Sequence, residues 1–350
     1  MNVNKSLLTS AAVLLALIVP MAFFINAQNP ATGNGENGAP VQAGNYRLSG
    51  PYTHKNLTIF LIHGKSITLS KNFLTLQEAL EQKKVIVYET KTVSELAIEN
   101  ISNEDVYVQA GDIVKGGQQD RMLATDFIVP PKSGKMPIGA FCVESGRWSK
   151  RTGESVEVFS SSAEVASTKE LKLAAKRSRS QGEVWENVKV AQDRLSKNVG
   201  ARVNSADSES SLQLAVENTK VRETADNYIK ALSDIAAGKN DVIGYVFAIN
   251  GKVNSADVYG SSALFKKLWP KLLKANAVEA IAGMQKEEFK PASPEAVSAF
   301  LVDAEKGKAS EKEVTRRVKL VTREDDKNVF FETVDGAEGA WIHRNYIRKE

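Results

Sequence analysis

Two short stretches of the sequence combine carboxylates with arginines in a way that suits a charged ligand. They are GDIVKGGQQDR (111–121) and CVESGRW (142–148). An arginine presents a planar fork that pairs with a carboxylate or phosphate, and a carboxyl group can act as general acid or base. The candidate ligand-binding residues are Asp112, Gln119, Asp120, Arg121, Glu144, Arg147 and Trp148.

The first stretch is not a nucleotide-binding phosphate loop. Gly111 and Gly116 match the start of G-x-x-x-x-G-K-[ST], but Gly117 and Gln118 stand where lysine and serine or threonine are required. The following residues, QQDRMLATDFIVPP, alternate as a strand does, whereas a phosphate loop opens a helix.

Other standard catalytic patterns are missing from the sequence. It has no G-x-S-x-G and no H-E-x-x-H pattern, and its three histidines (His54, His63 and His343) are scattered. We therefore predict no metal site and no cofactor, and we leave open whether the protein is an enzyme. Any catalysis would use carboxylates and arginines, as in glycoside or phosphoester cleavage.

The elements that must position these residues are strands. DVYVQAGDIV (105–114) and DRMLATDFIV (120–129) alternate in polarity, and Gly116-Gly117 between them supply the positive φ that a tight turn needs. This pattern predicts a hairpin. Glu144 follows the end of another apolar strand.

We therefore expect the two stretches to meet. Arg121 and Arg147 should lie near each other, each within reach of a carboxylate of Asp112, Asp120 or Glu144. If these residues serve a ligand, an arginine donor should remain free. If they serve only the fold, the cluster should be buried and fully paired.

The wider pattern predicts an α+β protein. The N-terminal half, residues 46–160, is rich in antiparallel β-structure and suggests a sandwich-like meander, and 161–290 is helical with a hairpin at Asn250-Gly251 (arms 242–249 and 252–258). Residues 46–290 would form one α+β domain. Residues 291–350 predict a C-terminal helix and a small antiparallel sheet.

Three local signals sharpen this outline. LTIFLIHG (57–64) is an apolar run typical of a strand covered on both faces, and Thr75 with Glu78 forms a capping box for a short helix. Ser293-Pro294 predicts the start of a helix that runs to Lys306.

The N-terminus predicts export. Lys5, an apolar run over 7–24 and INA (25–27) match a secretory signal peptide of residues 1–27, and a flexible Gly/Asn/Pro-rich linker follows over 28–45. We expect a periplasmic or extracellular protein. The alternative is an anchor made by an uncleaved N-terminal helix, which would be the protein's link to a membrane.

The net charge, the single cysteine and one basic run each limit the possible roles of the protein. The net charge of +4 indicates no nucleic-acid partner. Cys142 lies in the apolar run IGAFCVE, which predicts a buried side chain. The basic run KELKLAAKRSR (169–179) is typical of a solvated helix face, with a rim for an anionic ligand as the alternative.

Taken in order, several stretches resemble one family, named ARG and rhodanese-phosphatase-superfamily-associated protein domain. The resemblance covers roughly residues 46–285 and leaves out the tail after Lys290. The stretches are GDIVKGGQQDR, VPP, FCVESGRW, AAKRSRSQGEVW and NGKVNSADVYGSSALFKKLWPKLLKANAVEAI. The family motifs fall on Gly111, Asp112, Gly116, Gly117, Gln119, Asp120, Arg121, Cys142, Val143, Glu144, Gly146, Arg147 and Trp148, with further matches at Trp185 and Asp257. The family has no established activity, so the resemblance implies no mechanism.

Three functions remain open from the sequence. The first is an exported module that binds an unknown small or anionic ligand, or a partner, at the acid and arginine residues. The second is a hydrolase for an anionic or sugar-like substrate, with Asp120 or Glu144 as acid or base. The third is a structural envelope protein in which these residues pair only with one another.

Overall fold

The computed structural model describes residues 41–67, 72–166 and 168–349. The predicted signal peptide and residues 28–40 of the predicted linker lie outside these ranges. The strands are β1 (Val41–Ala43), β2 (Tyr46–His54), β3 (Leu57–His63), β4 (Leu74–Thr75), β5 (Val85–Thr92), β6 (Glu95–Asn100), β7 (Val106–Val108), β8 (Asp112–Gly116), β9 (Arg121–Leu123), β10 (Phe127–Val129), β11 (Lys135–Cys142), β12 (Phe159–Val165), β13 (Val242–Ile249), β14 (Lys252–Tyr259), β15 (Lys308–Glu313), β16 (Val318–Glu324), β17 (Asn328–Asp335) and β18 (Ala340–Arg348). The helices are α1 (Leu76–Glu81), α2 (Lys169–Leu173), α3 (Gln181–Val199), α4 (Leu212–Val216), α5 (Thr219–Leu232), α6 (Ser262–Ala282) and α7 (Pro294–Ala304).

A nine-stranded antiparallel sheet forms the centre of the fold. Its strand order is β1-β2-β3-β13-β14-β18-β17-β16-β15, so it combines strands from the beginning, the middle and the end of the chain. A six-stranded sheet (β12-β8-β9-β11-β6-β5) and a three-stranded sheet (β10-β7-β4) contain the other strands. Together with the helices, these sheets confirm the α+β class and the antiparallel, β-rich N-terminal half.

The central sheet is covered on both faces. Successive residues of β3 point to opposite sides, so Ile59 and Leu61 join one hydrophobic core while Phe60 and Ile62 join the other. Helix α6 contributes to the first core and α7 to the second. Every residue of β3 is buried, which confirms the prediction from its continuous apolar run.

The Asn250-Gly251 hairpin is confirmed. Strands β13 and β14 pair from Ile249–Lys252 to Gly244–Val258, and both turn residues have positive φ, 50° and 74°. This is the backbone of a two-residue primed turn, which the Asn-Gly dipeptide favours.

Two helix predictions are also confirmed. The side chain of Thr75 accepts a hydrogen bond from the Glu78 amide and completes the capping box of α1. Ser293 caps α7 as predicted, and the helix ends at Ala304, two residues before the predicted end at Lys306. Pro270 lies inside α6, and the helix does not restart there.

The run DVYVQAGDIV forms two strands in different sheets, not one. Gly111 has a φ of 95°, and β7 ends before it while β8 begins after it. Strand β7 pairs with β10 in the three-stranded sheet, whereas β8 pairs with β9 in the six-stranded sheet. The predicted hairpin is therefore divided between two sheets, because the positive φ at Gly111 interrupts the extended chain.

The chain ends depart from the sequence outline in two places. Strands β15 to β18 extend the central sheet through the pairing of β18 with β14, so the tail does not form a sheet of its own. Residues 41–43 of the predicted linker form β1, paired with β2. Across the ranges described, no helix is both long and apolar enough to cross a membrane.

The six-stranded sheet nearly closes on itself. Its two edge strands meet through a bridge between Tyr88 and Val158, and the Glu89 amide donates to the Glu157 carbonyl at 2.8 Å. This closure brings Glu89 of β5 beside the turn between β8 and β9, where the candidate residues lie.

Candidate functional site

The turn between β8 and β9 places Gln119, Asp120 and Arg121. The strands pair at Ile113–Met122 and Val114–Arg121, and Gly116 and Gly117 have φ values of 120° and 57°. The Asp120 carboxylate accepts a hydrogen bond from the Gly116 amide at 3.1 Å and closes the turn. The predicted reversal at these glycines is present, with a connection longer than two residues.

Position 117 requires glycine for two reasons: its φ is positive, and a side chain there would clash with its neighbours. A Cβ atom at this position would lie 2.4 Å from a ring carbon of Phe159 and 2.6 Å from a Glu89 carboxylate oxygen. The turn backbone can therefore approach both β12 and β5 only with glycine here.

The second stretch begins a long irregular segment. Residues 143–158 separate β11 from β12 and contain Glu144, Arg147, Trp148, Arg151 and Glu154. Irregular segments of this length in a compact domain are uncommon and often functional.

The two stretches meet as predicted. Arg121 pairs with Cys142 across β9 and β11, which aligns the turn with the start of the irregular segment. The Gln119 side-chain amide donates to the Glu144 carbonyl at 2.7 Å, and the Asp120 amide donates to the Glu144 carboxylate at 3.2 Å.

Two arginines of the irregular segment neutralise the carboxylates. Arg147 donates to Glu144 at 2.6 Å, and Arg151 donates to both carboxylate oxygens of Asp120 at 2.6 and 2.8 Å. Arg151 also pairs with Glu154 at 2.8 Å. We use the name arginine–acid cluster for Glu89, Gln119, Asp120, Arg121, Glu144, Arg147, Trp148, Arg151 and Glu154.

Arg121 occupies the centre of this cluster and is fully buried. Its Nη1 donates to the Gln119 side-chain oxygen at 3.2 Å and to the Cys142 sulfur at 2.6 Å. Its nearest carboxylate is Glu89 at 3.6 Å, not Asp112, Asp120 or Glu144 as the sequence predicted. The reason is the closure of the six-stranded sheet, which places β5 next to the turn.

The arginine–acid cluster has one open side. The ring of Trp148 lies 5.7 Å from the Arg121 guanidinium carbon, in cation–π range, and Trp148 itself is 49% exposed. Arg121 beneath this ring is 0% exposed, as are Asp120 and Glu144 of the same cluster. Trp148 therefore covers a buried charged group and faces solvent.

The hydrogen bonding of the arginine–acid cluster is incomplete. Five of the thirteen buried side-chain atoms that lack a hydrogen-bond partner, counted over the described residues, belong to it. They are Arg121 Nε and Nη2, Glu144 Oε1, Arg147 Nε and Glu154 Oε2. The cluster is thus buried, as the purely structural hypothesis requires, yet it keeps free arginine donors, as the ligand hypothesis requires.

The two central carboxyl groups have opposite pKa shifts. Burial raises the pKa of Asp120 above 3.8, because it outweighs the pairing with Arg151. Burial also opposes ionisation of Glu144, but the hydrogen bond from Arg147 and other donors outweigh it and lower its pKa below 4.5. Burial raises the pKa of the Cys142 thiol to about 11, and its side chain is 0% exposed, as the sequence predicted.

Asp112 does not join the cluster. It lies at the other end of β8 from Gly116, about 13 Å away at 3.3 Å per residue. There it accepts hydrogen bonds from Lys271 of α6 at 2.7 Å and from the Gln109 amide at 3.1 Å. This pairing connects the six-stranded sheet to α6.

A second buried set of charges, which no sequence pattern indicated, lies between the sheets. His343 lies between Asp126 at 2.9 Å and Asp257 at 3.0 Å, and Asn345 contacts both Asp257 and Lys176. We call these five residues the His–Asp network. Their polar atoms are paired with one another and with neighbouring groups. The network is therefore accounted for by a structural role, which is to link the central and three-stranded sheets. Within the described ranges, no group of three His, Cys, Asp or Glu side chains is arranged to hold a metal ion.

Comparison with known proteins identifies a family for this chain but no relative of known activity. Searches of curated proteins and of solved structures gave no match. A family model matches residues 45–347, which includes both motif stretches and extends well beyond the resemblance seen in the sequence, so the tail after Lys290 belongs to the match. The chain is a member of the ARG and Rhodanese-Phosphatase-superfamily-associated Protein domain family.

Proposed function

We propose that the protein is a binding module for a small ligand that carries a carboxylate or phosphate group, bound at the arginine–acid cluster. The observation that carries this proposal is the unpaired edge of Arg121. Nε and Nη2 lie on the same edge of the guanidinium, and both lack a hydrogen-bond partner in the described part of the chain. That edge is the fork that pairs with two oxygens of a carboxylate or phosphate.

The surroundings of Arg121 favour a ligand over a purely internal role. A buried donor without a partner costs about 1–3 kcal/mol, and more when it is charged. Glu89 approaches Nη2 to 3.6 Å without forming a hydrogen bond, so it neutralises the charge and leaves the fork unfilled. The ligand reaches the fork when Trp148 moves aside, and the indole face then packs against the ligand.

The ligand also needs donor groups. Glu144 Oε1 and Glu154 Oε2 are acceptors in the same cluster without a hydrogen-bond donor, although Arg151 lies 3.6 Å from Glu144 Oε1. A hydroxyl or amine on the ligand supplies the missing donor, so hydroxy acids and phosphorylated alcohols fit better than acetate.

A thermal-shift screen of the full chain tests this proposal. The probes are acetate, malate, citrate and inorganic phosphate, and a ligand at one hundred times its dissociation constant adds about 2.7 kcal/mol of stability. Arg121→Lys keeps the charge but removes the fork, and Trp148→Ala removes the cover. Both variants should lose the ligand-induced shift.

Trp341→Ala is the matched control, because Trp341 also lies over an arginine, Arg344, at 4.5 Å but in the central sheet. It should keep the shift. An equal shift in all four proteins, or no shift with any probe, would reject the arginine–acid cluster as the binding site.

A hydrolase is the second candidate, favoured by the opposite pKa shifts of Asp120 and Glu144. Neighbouring carboxyls whose pKa values are pushed apart are typical of acid/base pairs. The test is cleavage of p-nitrophenyl phosphate and p-nitrophenyl glycosides, which should be lost in Asp120→Asn and retained in the exposed control Asp226→Asn. Equal rates in these two variants would remove this candidate.

Export is part of the proposed function and is supported by the sequence of residues 1–27. The module would act in the periplasm or outside the cell. An uncleaved N-terminal anchor is the alternative, in which case the same module would act at the membrane surface.

A further inference from the structure

A polar cavity of about 410 Å³ lies at the far end of α3 from the arginine–acid cluster. It is formed by the last turns of α3, the β13–β14 turn and the end of α6. Gln181, which hydrogen-bonds to the backbone of Cys142, and Lys197, which lines the cavity, are about 24 Å apart along the helix at 1.5 Å per residue. The volume is within the range of small-molecule sites.

Residues at the floor of this cavity contain buried acceptor oxygens that have no donor. Glu279 is 5% exposed, and its Oε1 accepts from the Lys169 amide and the Asn254 side chain, each at 2.9 Å. Its Oε2 has no partner among the described residues, and neither have the side-chain oxygens of Asn254 and Asn250. Three lining residues therefore have buried acceptors that are left for donors of a ligand.

The rim of the cavity is basic. Lys169, Arg194, Lys197 and Lys252 line it, and Glu170 is the acid that pairs with Arg194 at 3.7 Å. The ammonium groups of the three lysines have no hydrogen-bond or ion-pair partner in the described ranges. Lys169 opens the basic run 169–179, whose alternative interpretation was a rim for an anionic ligand.

The acceptor oxygens of the floor and the basic side chains of the rim together favour a ligand that carries both hydroxyl groups and a negative charge. A free cation or an ammonium group would satisfy the acceptors but would be repelled by four basic side chains, whereas hydroxyl groups are neutral donors. A phosphate monoester carries about −1.5 to −2 charge at pH 7, which suits three unpaired lysines better than the single charge of a carboxylate.

We propose that this cavity, which we call the Glu279 cavity, binds a phosphorylated polyol. The hydroxyl groups donate to Glu279, Asn254 and Asn250, and the phosphate pairs with the lysines of the rim. The proposal does not depend on the function proposed for the arginine–acid cluster, because the two sites share no residue.

Isothermal titration of the full chain tests the proposal. The probes are glucose 6-phosphate, ribose 5-phosphate, glycerol 3-phosphate, glucose and inorganic phosphate. We expect at least one phosphorylated polyol to bind more tightly than glucose and inorganic phosphate. Glu279→Gln puts a donor where the ligand needs an acceptor, so it should weaken this binding about tenfold or more.

A surface variant keeps the test decisive if Glu279→Gln does not fold. Lys197→Ala/Lys252→Ala should weaken the same binding about tenfold, and the exposed pair Lys189→Ala/Lys230→Ala, on α3 and α5, should leave it unchanged. The proposal is overturned if no phosphorylated polyol binds at millimolar concentration. It is also overturned if inorganic phosphate binds equally well and Glu279→Gln has no effect, or if Trp148→Ala removes the binding, which would place the ligand at the arginine–acid cluster.

Discussion

Replacing Arg121 with alanine should destabilise the protein strongly. Arg121 is 0% exposed, and Glu89, whose side chain is 1% exposed, is its nearest carboxylate. Removal of the cation leaves the Glu89 carboxylate buried without its counter-charge, which costs about 3–5 kcal/mol. With a urea m-value of about 3 kcal/mol/M, the unfolding midpoint should fall by about 1–1.7 M.

The assay is equilibrium urea unfolding, with Arg202→Ala as the control. Arg202 pairs with Glu209 at 2.8 Å, but the two side chains are 68% and 71% exposed, so the control should lose less than about 1 kcal/mol. Combining Glu89→Gln with Arg121→Met removes both charges and should recover part of the loss that Arg121→Met causes alone. If Arg121→Ala costs no more than Arg202→Ala, Arg121 is not a buried charge and the reasoning is wrong.

Three further predictions concern pH, backbone and export. Burial opposes the charge on His343, but the carboxylates of Asp126 and Asp257 outweigh burial and raise its pKa above 6.5. Its contribution to stability is therefore complete below pH 6.5 and is lost as pH rises through the raised pKa, so His343→Gln should flatten the fall of unfolding free energy on the alkaline side. Gly117→Ala should cost more than the roughly 1–2 kcal/mol of backbone strain, because its Cβ meets Phe159 and Glu89, whereas Gly146→Ala has open space at φ 80° and should cost the strain alone. Both glycine variants are measured by urea unfolding. N-terminal sequencing of the exported product should begin at residue 28, and a product that begins at Met1 would contradict the signal-peptide prediction.

Local features of the fold were predictable because short-range chemistry decides them. Asn250-Gly251 adopts positive φ twice at low cost, so two alternating runs beside it strongly favour a hairpin. The capping box of Thr75 and the buried strand β3 likewise depend on a few adjacent side chains. The division of 105–114 into two strands was not predicted, because Gly111 fits a strand pattern until its φ is known.

The meeting of the two motif stretches was predictable, but their partners were not. Gln119, Asp120 and Glu144 come together because each follows a strand end in one sheet. Glu89 reaches Arg121 only through closure of that sheet, and Arg151 lies in an irregular segment without a periodic pattern.

The His–Asp network was invisible for a similar reason. His343 is 217 residues from Asp126 and 86 from Asp257, so no spacing in the sequence connects them. Only the strand order of the central sheet, with β18 beside β14, brings His343 and Asp257 together.

The central claim is that the unpaired edge of Arg121 receives an anionic group, and a crystal structure with the best probe of the thermal-shift screen tests it most directly. The account predicts two ligand oxygens at about 2.7–2.9 Å from Arg121 Nε and Nη2, with Trp148 packed against the ligand. A structure in which the Glu89 carboxylate or ordered water fills that edge, with the ligand elsewhere, would contradict it.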